Sequence, residues 1–85
     1  MKMQNIEQSI ARGHDAQRLK NDELLADCFT LLEQKYVSEW MIANNVDDRE
    51  YIHALMTALT DVRNHLDQII QSGVLAEEQL RISRS

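Results

Sequence analysis

The side chains of this sequence with chemistry to offer are three histidines, one cysteine and fourteen carboxylates, and spacing decides what they could do together. His53 and His65 lie twelve residues apart. On a helix turning about 100° per residue that separation sets them about 120° apart around the axis, too far round to grip one metal ion. Both read as surface histidines. Cys28 follows Asp27, and a negative neighbour raises a thiol's pKa rather than creating a thiolate nucleophile. It reads as a core or near-core thiol. The carboxylates are too scattered to nominate an acid and a base. Arg63 with Asp67, and Glu77 with Arg81, read as i to i+4 surface pairs, each worth about 0.2–0.5 kcal/mol. There is no glycine-rich phosphate loop, GxSxG, CxxC, HExxH or acidic calcium loop, and two glycines leave little from which to build a close backbone approach. The expectation is a protein that is not an enzyme and holds neither cofactor nor metal.

What remains is apolar side chains, which act by contact. Trp40, Tyr36 and Met41 are large groups near the end of a helical segment, where they either cap the molecule's own core or anchor a partner. Around them Leu24, Leu31, Val37 and Ile42 widen the apolar arc. These seven residues are the candidate interface.

The elements that position them are helices. The chain has no proline, and Leu, Ala, Gln, Glu, Asp and Arg supply much of its mass, which predicts an all-α fold. Within residues 48–72 the apolar positions Ile52, Leu55, Leu59, Val62, Leu66 and Ile69 alternate at spacings of 3 and 4, one seam of a helix. Asp47 with Glu50 fits a capping box at its start, and Val46 with Tyr51 a hydrophobic staple. Gly73 predicts a stop at about Ser72, with residues 75–82 a short terminal helix before the tail. A second helix is expected over residues 21–44, capped by Asn21 and followed by Asp22 and Glu23 at the positive end of its dipole. Leu25, Phe29, Leu32, Tyr36 and Ala43 share one of its faces. Leu24, Leu31 and Ile42 form another stripe, and Val37 and Met41 extend the arc on the opposite flank. So wide an arc needs more than one neighbour, because a single partner helix covers a stripe of about 100°.

The short connection at Asn44 and Asn45 folds the two helices into an antiparallel hairpin. Residues 5–20 carry Ile6 and Ile10, then Gly13, His14 and Asp15, a thin pattern that fits a third helix, a separate arm or an extension of the second element. The whole reads as a single small helical domain over residues 1–85. Two helices and a short third bury little, so assembly into a helical bundle or docking on a larger protein is expected.

Composition limits the partners. No apolar run approaches the roughly 20 residues that span a bilayer, and no signal-peptide order is visible at the start. A lone cysteine suits a reducing compartment, and the cytoplasm is expected. The net charge of -5 is uneven: residues 1–20 hold four basic and two acidic groups, residues 21–80 three and twelve, and residues 81–85 two arginines. Phosphate would be repelled by that middle, which argues against nucleic acid as a partner. An acidic middle would instead suit a small regulator or inhibitor that masks a basic surface of a nucleic-acid enzyme.

The run Asn21-Asp22-Glu23-Leu24-Leu25, with Phe29, Leu32-Glu33, Tyr36 and Trp40, then Arg49-Glu50, Ala58-Leu59, Val62-Arg63, His65-Leu66, Ile69 and Gly73, resembles small helical proteins of tailed bacteriophages and prophages encoded among head and packaging genes. The resemblance spans about residues 21–80 and rests on helix-packing positions. It implies a virion-associated or assembly role in a bacterial host cell, with head, portal or packaging proteins, or a second copy, as partners.

Overall fold

The computed structural model describes residues 3–84, with side chains from residue 5 onward. The first two residues of the expected arm and the last residue of the expected tail lie outside the described residues. Three helices are present: α1 (Met3–Asn21), α2 (Glu23–Ile42) and α3 (Val46–Arg84), with no strand among the described residues. The fold is all-α and contains the expected hairpin of α2 with the first part of α3. Helices form two separate units. One joins α1 to α3 from Asn64 onward, and the other comprises Asp22–Arg63.

In the first unit α1 runs antiparallel to α3, as His14 pairs with Glu77 and Lys20 with Asp67. The crossing is made by small residues. A β-carbon added at Gly13 would stand 2.9 Å from the Gly73 Cα, and one at Gly73 would stand 3.0 Å from the Ser9 carbonyl oxygen. Backbones can meet so closely only where neither residue carries a side chain. Ala16 and Ala76 continue the contact, each 3% exposed, and Ile6 closes it near one end. Ordering glycine and alanine costs almost no side-chain entropy. This is why a stretch poor in large apolar residues forms a packed helix.

Gly73 therefore does not stop α3. Its backbone is helical, since no glycine adopts a positive φ among the described residues, and α3 continues through it to Arg84. The separate helix expected at residues 75–82 is the last part of α3, and Met3–Asn21 is a helix rather than an arm or an extension of the second element.

In the second unit the joints differ from expectation by a residue or two. Asn21 ends α1, and Asp22 caps α2 by accepting from the Leu25 N–H at 2.8 Å. Asn45 caps α3: its Oδ1 accepts from the Asp48 N–H at 2.8 Å, and its Nδ2 donates to Asp48 Oδ2 at 3.0 Å. That reciprocal pair starts the helix earlier than an Asp47–Glu50 box would. Val46 and Tyr51 are exposed and form no staple. Inside the hairpin Leu25, Phe29 and Tyr36 of α2 are half-buried, as are Leu55, Met56 and Leu59 of α3. Only Ile52, 8% exposed, is buried among the unit's large side chains.

The seam on α3 drifts. A straight helix slips about 20° per heptad against a 3-4 repeat, so by the third turn the contact has moved from Val62, which is exposed, to Arg63, which is half-buried. Arg63 lies over the Phe29 ring at 5.0 Å and pairs with Glu33. The expected ion pairs are thereby replaced. Arg63 turns to α2, Asp67 takes Lys20 at 2.8 Å, Glu77 takes His14, and Arg81 takes Glu78.

Candidate interaction surface

No residue of α2 is buried. This follows from how its apolar side chains are distributed: the arc exceeds what one antiparallel neighbour covers, so the stripe facing α3 is half-covered and the rest meets solvent. Leu24, Leu31 and Ile42 are 73%, 64% and 77% exposed and fall on one line of the helix. With Cys28, Lys35 and Ser38 between them, they form a seam with alternating spacings of 4 and 3, every member exposed. Cys28, expected in or near the core, is an exposed thiol on that seam, because Leu25 and Phe29 take the inward positions on either side of it. Val37 and Met41 lie on a different flank of α2 and are also exposed. Tyr36 belongs to the inner face and is half-buried.

Trp40 stands at the hairpin tip. The Arg49 guanidinium lies over its ring at 5.4 Å, and Arg49 Nε donates to the Ala43 carbonyl oxygen at 3.2 Å. One side chain thus braces the ring and satisfies a carbonyl beyond the end of α2. Trp40 remains 41% exposed. It lines an open groove of about 300 Å³ with Val46, Arg49, Glu50 and His53. A second open groove of about 330 Å³ lies beside Glu39, Ala43, Asp48, Tyr51 and Ile52. Val46 and Tyr51, exposed at the start of α3, belong to this tip surface and were not among the candidates. The signal that could have found them is the Asn45 cap, which makes Val46 the first residue of α3, ahead of the point where the seam begins at Ile52.

The structure thus places four of the seven candidates in two patches, an outer seam of Leu24, Leu31 and Ile42 and a tip around Trp40, with Val37 and Met41 on another flank of α2 and Tyr36 turned inward. The unit that carries both is acidic. Residues 22–63 hold nine carboxylates and three cations, a net charge of -6, while the remaining residues hold five and six, +1, which together make the -5 of the chain. Of the three cations, Arg49 and Arg63 are held over aromatic rings.

The histidines stand apart and exposed, and among the described residues no group of three or more His, Cys, Asp or Glu side chains is placed to hold a metal ion. No described helix is long and apolar enough to cross a membrane. Comparison with protein families, curated proteins and solved structures finds no match for the chain.

Proposed function

We propose that this chain is a non-enzymatic interaction protein that binds other proteins through the outer seam of α2 and the tip around Trp40. The observation that carries this reading is that α2, although it holds four leucines and three aromatic residues, buries none of them. Exposed apolar side chains grouped along a helix are the usual material of protein recognition, and single scattered ones are not. The resemblance to small phage proteins gives the role its setting: an accessory of virion assembly, acting on head, portal or packaging proteins. The acid excess of residues 22–63 supports a second reading, a regulator that covers a basic surface on a nucleic-acid enzyme.

Affinity capture with quantitative mass spectrometry tests the surface, using the wild-type chain beside Trp40→Ala and Met41→Ala. Captured partners should fall at least tenfold for Trp40→Ala, since large central aromatics dominate such contacts. An identical set of proteins at identical recovery from all three chains would overturn the reading. Mass spectrometry of purified particles separates the two settings, because an assembly component is retained there and a cytoplasmic regulator is not.

A further inference from the structure

We infer that the outer seam of α2 receives one helix from a different protein, with an apolar stripe flanked by lysine or arginine, completing a three-helix bundle on the hairpin. The inference rests on the interaction reading above and names the chemistry of the partner. Leu24, Cys28, Leu31, Lys35, Ser38 and Ile42 repeat at the spacing of a coiled-coil seam, and all six are exposed. A helix laid along that line would insert its own 3-4 repeat between them. The seam is about 20 residues long, so it suits a helix rather than an extended strand or a flat surface.

Charge chooses between occupants. Asp27 and Glu39 lie on opposite flanks of the seam, and Glu23 adds to the Asp27 side. The Asp22–Arg63 unit carries -6. A second copy would bring the same carboxylates against these, and like charges across an interface disfavour it. A helix flanked by lysine or arginine meets opposite charge on both sides. Lys35 is the cation within the seam itself, and a lone lysine in such a position sets register. The partner places a polar or acidic residue opposite it.

Synthetic 18-residue helical peptides without tryptophan provide the probes: a leucine stripe flanked by lysine, the same stripe flanked by glutamate, and a serine stripe flanked by lysine. Fluorescent labels on the peptides report binding to the full chain, and sedimentation reports its own mass. The leucine–lysine peptide should bind at least tenfold tighter than either other peptide. Leu24→Gln with Leu31→Gln should abolish that preference, whereas Leu75→Gln, at an exposed position of the other unit, should leave it intact. Asp27→Lys with Glu39→Lys should reverse it in favour of the glutamate peptide. If the glutamate peptide binds wild type equally well, or if the chain is a dimer that the leucine variants dissolve, the seam is an interaction surface but the proposed partner is wrong. If the leucine variants alter neither peptide binding nor mass, the partner and the interaction reading of the seam fail together.

Discussion

The two helix pairs solve the same packing problem with opposite materials. Where α1 meets α3, glycine and alanine let the backbones touch, and five residues, Ile6, Gly13, Ala16, Gly73 and Ala76, are buried with little apolar mass. Where α2 meets α3, large side chains fill the seam, yet Ile52 alone is buried and the far side of α2 stays wet. Close approach makes a two-helix contact self-sufficient, because small residues leave few atoms to cover. Bulky residues separate the helices and extend beyond any single neighbour. The first pair holds together by backbone approach, although Leu19, Val74 and Leu75 stay exposed there too, whereas the second leaves a whole seam of α2 exposed.

The sharpest way to break this contrast is to add bulk at the glycine crossing. Gly73→Leu would drive a side chain into the Gly13 Cα and the Ser9 carbonyl, both backbone atoms that cannot step aside. The expected cost is about 3 kcal/mol or more, since overpacking against backbone exceeds the roughly 1 kcal/mol that a better helix former returns over glycine. Urea denaturation followed by circular dichroism, with hydrogen exchange on α1, should show α1 losing protection first. A stabilised variant would mean that Gly73 serves helix termination and not contact.

In the other pair the comparable lesion is Ile52→Ala. Ile52 is 8% exposed and the most enclosed large side chain of that unit, but its neighbours Leu55, Met56 and Leu59 are only half-covered and can settle into the gap. The loss should fall at the low end for buried isoleucine, about 2–3 kcal/mol. The same denaturation series would measure it, and a loss below about 0.5 kcal/mol would show that the hairpin has no core to damage.

Much of this was legible from residue patterns, and the misses share a cause. The helical class, the hairpin and the excess of apolar arc on residues 21–44 followed from periodicity, and α2 does carry that arc. Gly73 was misread because glycine supplies two different things, freedom at a helix end and absence of bulk at a crossing. Only its pairing with Gly13, sixty residues away, selects the second. The thin pattern of residues 5–20 misled for the same reason, as a contact made by Ser9, Gly13 and Ala16 contains almost nothing that hydropathy can register. Val62 and the i to i+4 ion pairs failed through geometry. The 3-4 seam drifts on a straight helix, and Arg63, Asp67 and Glu77 found partners on another helix instead of the next turn. The caps moved because Asp22 and Asn45 compete with neighbours of nearly equal capping strength. As for the surface, periodicity could place Leu24, Leu31 and Ile42 on one stripe, but their exposure depends on where α3 lies.

The smallest expected change completes the comparison. Leu31→Gln replaces a leucine that is 64% exposed with a residue of similar helix propensity, and it should alter folding stability by less than about 0.5 kcal/mol. A leucine kept in place by cohesion would cost several times that when made polar. Near-neutral stability together with weakened capture of partners would separate what α2 contributes to its own hairpin from what it offers to another protein. A loss above about 1.5 kcal/mol, within the range for burying a leucine side chain, would instead mean that the seam is already covered when the chain is folded in solution, and the distinction drawn between the two helix pairs would collapse.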